Sequence, residues 1–143
     1  MRLSMRKLVL PNAVLMEEAA ALLDEGREVC FVPKGSSMLP FIRGDQDSVV
    51  LRKFPSVEKG DMVLARLQGR YVLHRVVRVQ PEGLTLMGDG NIVGQEHCQP
   101  QDVLGTVVYI VRNGKAVKPG KGVLWRLLRP LRRYILAVYR RIV

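Results

Sequence analysis

Two adjacent hydroxyls, one histidine and one glycine-flanked carboxylate are the side chains of this 143-residue sequence best suited to chemistry. Ser36 and Ser37 lie in Lys34 to Asp45, which reads Lys-Gly-Ser-Ser-Met-Leu-Pro-Phe-Ile-Arg-Gly-Asp. Gly35 permits backbone geometry that other residues resist, and Pro40 fixes φ and bars regular pairing, so the segment is expected to be a fixed turn that presents Ser36 or Ser37. Taken alone, it also reads as a polar loop whose hydroxyls cap backbone groups. A hydroxyl nucleophile needs a base within hydrogen-bond reach, and that base gains from a carboxylate that holds its tautomer. The chain has two histidines, His74 and His97. His74 falls in the strand-like run Tyr71 to Val79, where alternation sets Val72, His74 and Val76 on one face and Leu73, Arg75 and Val77 on the other. His97, in Gln95-Glu96-His97-Cys98, is read as a surface residue. Asp89, in the tight loop Gly88-Asp89-Gly90-Asn91, is a candidate to orient His74 and equally a residue that stabilises its own turn.

The elements that must position these residues are short. Asn12 to Glu25 is helical in pattern, with Leu15, Ala19, Leu22 and Leu23 at helix spacing, Asn12 as cap and Gly26 as terminator. Val29 to Val32, Ser48 to Leu51, Met62 to Leu67, Tyr71 to Val79, Leu84 to Met87 and Val103 to Val111 read as strands, with a hairpin turn at Gln68-Gly69-Arg70. Many short strands after one helix predict a compact, mostly-β domain over residues 1–111. From Val123 a helical stripe of Leu124, Leu127, Leu128, Leu131, Ile135, Val138 and Ile142 runs beside Arg126, Arg129, Arg133 and Arg140, and Pro130 predicts a kink or two short helices. Residues 112–143 are therefore expected to form a basic, amphipathic C-terminal extension.

Composition narrows the function classes. The net charge of +10 belongs to the tail: through Val111 there are 13 Lys+Arg and 13 Asp+Glu, and from Arg112 onward ten Lys+Arg and no acid. Attraction to phosphate or to an anionic membrane surface thus maps to the tail, above all to residues 123–143, whose other expected role is packing on the body or a partner. Nucleic-acid binding is disfavoured, because no second helix completes a helix-turn-helix and no aromatic-rich strand offers a stacking platform. Cys30 and Cys98 have no metal or redox spacing and are expected as free thiols; no metal site and no cofactor are expected. Arg2, Arg6 and Lys7 before Leu8 to Met16 faintly suggest a secretory signal, but Pro11-Asn12 interrupts the apolar run and Glu17-Glu18 follow at once, so no signal peptide is read.

Four boxes now stand in order: Gly-Ser-Ser-Met-Leu-Pro with Arg43-Gly44-Asp45, then Lys59-Gly60-Asp61-Met62-Val63, then Tyr71-Val72-Leu73-His74-Arg75-Val76-Val77, then Gly88-Asp89-Gly90-Asn91. This order resembles the S24/S26 serine peptidases, that is, type I signal peptidases and the LexA-type self-cleaving repressors, from about Val32 to Asn91 and more loosely to Val111. The resemblance implies a signal-peptidase or LexA-like β-domain in which the serine before the methionine, Ser37, is the nucleophile. It puts His74 where bacterial signal peptidases carry lysine, as in the archaeal and endoplasmic-reticulum type, and Asp89 as the matching orienting acid. That type has further acids just after this box, where this chain has Gly94-Gln95-Glu96. The turn's N–H groups, with Gly35, Ser36 and Met38, would support the oxyanion. Gly35 departs from the pattern, since many signal peptidases place a hydroxyl two residues before the nucleophile. No Ala-Gly self-cleavage pair occurs, which disfavours the LexA-type variant.

The expected activity is serine endopeptidase cleavage, by acyl transfer, of an extended leader- or signal-like peptide that adds a strand to a sheet edge and places small side chains beside Ser37. The alternative is a catalytically inactive peptide- or protein-binding module on the same scaffold. Without an N-terminal anchor the expected location is cytoplasmic, peripheral to the membrane where the tail docks.

Overall fold

A computed structural model describes residues 6–8, 13–91 and 94–142. In chain order these form β1 (Arg6–Leu8), α1 (Ala13–Asp24), β2 (Val29–Phe31), β3 (Ser48–Arg52), β4 (Met62–Leu67), β5 (Arg70–Gln80), β6 (Gly83–Met87), β7 (Glu96–Cys98), β8 (Val103–Arg112), β9 (Lys115–Val117), α2 (Val123–Leu127) and α3 (Arg132–Ile142). One curled nine-stranded sheet runs β1-β2-β3-β8-β4-β5-β6-β7, with β9 on β8. The β1–β2 pair is parallel, and the other pairs are antiparallel. The fold is mostly β, as the pattern of short strands predicted.

Alternation along β4 divides the core. Met62 and Leu64 join an apolar cluster beneath α1, whereas Val63, Ala65 and Leu67 join a second cluster with Val72, Val76 and Leu86. A strand whose side chains are buried on both faces is held from both sides, so its neighbour β5 is well fixed in register. Helix α1 turns Met16, Ala19, Ala20 and Leu23 to the sheet, a stripe shifted from the expected one: Leu15 and Leu22 are only partly buried. Small alanines permit this close seat, and Gly105 on β8 lies against the Leu23 methyls. The Gly26 and Arg27 amides close the helix on the Leu23 and Leu22 carbonyls. Asn12 and the opening residues 1–5 lie outside the described residues.

Three short strands, β1, β7 and β9, were not legible as strands. Each has three residues, too few to show a period of two. Cys30 and Cys98 are buried and outside any disulfide, and burial, with Asp102 and Glu96 nearby, pushes the Cys98 thiol up to about 11. The tail breaks at Pro130 into α2, a 3-10 turn (Arg129–Leu131) and α3, as the proline required.

Candidate active site

The serine turn is built as a closed loop. The Asp45 amide donates to the Pro33 carbonyl at 2.7 Å, and Gly44 lies so close to Gly35 that a Cβ there would come 1.8 Å from the Gly35 carbonyl oxygen. Gly35 has φ of 84°, the left-handed region that favours glycine. The amides of Leu39, Phe41 and Ile42 donate to the carbonyls of Ser36 and Met38, so the chain coils directly after the two serines. Ser36 is left exposed. Ser37 is half-buried and lines a cavity of about 480 Å³ together with Gly35, Met38, Ile42, Leu64 and His74.

Asp47 anchors the far end of the turn. Its fully buried carboxylate accepts from the Arg43 amide at 2.8 Å and from the guanidinium groups of Arg43 and Arg112, and Arg112 also donates to the Phe41 carbonyl. Burial alone would raise the pKa of Asp47, but the hydrogen bonds from Arg112 and Arg43 outweigh it and hold the group below its ordinary value. Stability from a lowered folded-state pKa is present above the unfolded-state value of about 3.9 and is lost as pH falls through the folded value. Denaturant midpoints measured from neutral pH downward should therefore fall more steeply below about pH 4 for the wild type than for Asp47→Asn.

His74 sits on β5 opposite Val63 of β4. Just beyond it, the Gly60 amide donates to the Val76 carbonyl and the Val76 amide donates to the Asp61 carbonyl, both at 2.7 Å, so the Lys59-Gly60-Asp61 turn fixes the strand. The buried ring places Nδ1 2.7 Å from Glu96 Oε1. Glu96 opens β7 and pairs with Leu86, which pairs in turn with Val76, so the sheet order β5-β6-β7 carries the carboxylate to the ring. No hydrogen bond joins Ser37 to His74 among the described residues; catalytic hydrogen bonds are often long in unliganded sites and tighten with substrate. His97 is exposed, next to Thr85.

Where Asp89 was expected beside His74, its carboxylate faces Arg75 instead, and Glu96 is the acid against the ring. The two Asp89 carboxylate oxygens accept from Arg75 Nε at 2.8 Å and from a terminal Arg75 nitrogen at 2.7 Å. The planar guanidinium fork matches a carboxylate better than an imidazole can, and both partners are almost wholly buried. Arg75 also donates to the carbonyls of Gly60 and Gly120 and lies over the Phe41 ring. One side chain thus joins the serine turn, the Lys59-Gly60-Asp61 turn, the Gly88–Asn91 loop and the approach to the tail. Sequence reading missed this role, although Arg75 directly follows the histidine in the third box.

The glycines beside Asp89 serve close approach. A Cβ on Gly88 would come 2.4 Å from the Ser37 carbonyl oxygen and 3.1 Å from His74 Cδ2, and one on Gly90 would come 2.3 Å from the Ser36 carbonyl oxygen. Gly88 is therefore wedged between the serine and the histidine. The Gly90 amide donates to the Ser37 carbonyl at 2.7 Å, and the Asp89 amide to Met38 Sδ. Gly90→Ala should push the serine turn off the loop and cost about 1–3 kcal/mol of stability, the usual penalty for overpacking. A thermal melt beside the wild type checks this.

The tail completes the site from behind. Three consecutive carbonyls of the loop accept from it: Asp89 from Trp125 Nε1 at 2.9 Å, Gly90 from Arg140 at 3.4 Å and Asn91 from Arg132 at 3.2 Å. Leu39 of the serine turn packs with buried Trp125 and Leu136, and Phe41 meets Trp125 edge-on with ring centroids 6.0 Å apart. Among the described residues no helix is long and apolar enough to cross a membrane, and no cluster of three His, Cys, Asp or Glu is placed to hold a metal.

The mostly-β domain thus brings a turn-borne serine and a carboxylate-bound histidine to one cavity. The chain belongs to the Peptidase S24-like family, whose model matches residues 7–108. No curated protein matches the chain.

Proposed function

We propose that the protein is a serine endopeptidase acting through Ser37, His74 and Glu96. The observation that carries this reading is the His74 Nδ1 to Glu96 contact of 2.7 Å on the cavity that Ser37 lines. With the Nδ1 proton held by Glu96, Nε2 is the free basic nitrogen. As Ser37 Oγ attacks a peptide carbonyl, His74 Nε2 takes its proton, and the turn's N–H groups at Ser37 and Met38 hold the developing oxyanion. Glu96 stabilises the imidazolium, which then protonates the leaving amine. Water, activated by the same ring, releases the acyl group from Ser37. The substrate binds as an extended strand with a small or medium apolar side chain in the cavity floored by Met38, Ile42 and Leu64.

A second reading, a peptide-binding module without catalysis, draws on Gly35, which supplies no hydroxyl where a supporting oxyanion donor would stand; loss of one such donor costs about 10²–10³-fold. Incubation with a mixed peptide library, read by mass spectrometry, separates the two. Products cut at a recurring position by the wild type and absent with Ser37→Ala support the peptidase. Retention of uncut peptides that compete for the cavity supports the module.

A further inference from the structure

The inner face of the tail is taken up by the site loops, whereas its outer face carries an apolar row. Leu127 of α2, Leu131 of the 3-10 turn, and Tyr134 and Val138 one turn apart on α3 are 73%, 53%, 65% and 60% exposed. On α3, Tyr134 and Val138 lie between the half-buried Ile135 and Tyr139 on one side and the exposed Arg133 and Arg141 on the other. Large apolar side chains aligned in this way on a monomer mark a contact surface.

We propose that the outer face of α2 and α3 docks on an anionic lipid bilayer. Charge selects this occupant: Arg133 and Arg141 stand exposed on α3 and neither helix carries an acid, while Arg112, Lys121 and Arg132 are taken up by Asp47, Asp61 and the Asn91 carbonyl. A second copy would bring the same exposed cations against Arg133 and Arg141, so self-association across this face is opposed. A bilayer of anionic lipid answers both features at once. The apolar row enters the boundary between headgroups and acyl chains, Tyr134 sits at headgroup level, and the flanking arginines meet lipid phosphates. Because the inner faces of the same helices hold the carbonyls of Asp89, Gly90 and Asn91, docking fixes the site loop relative to the membrane plane.

The test is co-sedimentation of the full chain with phosphatidylcholine vesicles and with vesicles that also contain phosphatidylglycerol. The wild type should sediment with the anionic vesicles and not with the neutral ones, less so as salt rises. Two double variants on exposed positions, Tyr134→Gln with Val138→Gln and Arg133→Gln with Arg141→Gln, should each weaken partitioning by roughly 10–30-fold with unchanged melting, and Ser37→Ala should bind as the wild type does. Absence of sedimentation, equal binding to neutral vesicles, or variants that bind like the wild type would overturn the proposal. So would a concentration-dependent dimer lost in the Tyr134/Val138 variant, which would assign the face to a second copy.

Discussion

Glu96→Gln is expected to lower peptide cleavage by about 10³–10⁴-fold while the protein stays folded. The carboxylate oxygen 2.7 Å from His74 Nδ1 can only accept, so it holds the ring with its proton on Nδ1 and leaves Nε2 free to act on Ser37. A glutamine amide can turn its N–H₂ toward Nδ1 instead. The ring then carries its proton on Nε2, where it cannot take one from a hydroxyl, and no positive imidazolium is stabilised. Turnover of a cleaved peptide, measured beside a thermal melt, checks both halves. A variant as active as the wild type would remove Glu96 from the mechanism.

The second large effect falls on stability. Asp89→Ala leaves the Arg75 guanidinium buried without its carboxylate, and breaking a buried pair from one side costs about 3–5 kcal/mol. For a chain of this length that corresponds to a fall of roughly 10–20 °C in Tm. The damage should spread beyond the pair, because Arg75 also holds the carbonyls of Gly60 and Gly120. A double change, Asp89→Leu with Arg75→Met, should recover part of the loss, since apolar pairs of similar volume often replace buried ion pairs at little cost. Were Asp89 the orienting acid, its loss would instead abolish cleavage and leave the melt near that of the wild type. The two outcomes are distinguishable in one pair of measurements.

The contrast between Asp89 and Glu96 shows what the sequence could carry. The strands from β2 to β6 and β8 were legible because five or more residues, or a β-branched run beside a turn, reveal a period. His74 could be placed by the same argument, and Ser37 by its box. Which carboxylate meets the histidine could not be read, since it depends on β7, a three-residue strand of Glu96, His97 and Cys98 with no apolar alternation. The acid after the glycine box was visible as a residue but not as a neighbour. Similarly, Arg75 looked like one more polar position on β5, although its burial between two turns and a loop fixes Asp89 elsewhere. The tail was legible as basic and amphipathic, but a stripe does not tell what it packs on. Trp125, Arg132 and Arg140 reach backbone carbonyls, which leave no trace in composition.

Everything proposed for the chemistry rests on Ser37 as the nucleophile. Intact-mass measurement after exposure to a serine-directed phosphonate addresses it without knowledge of the substrate. One adduct is predicted on the wild type and on Ser36→Ala, with none on Ser37→Ala. An unlabelled wild type, or an adduct that persists in Ser37→Ala, would contradict the account.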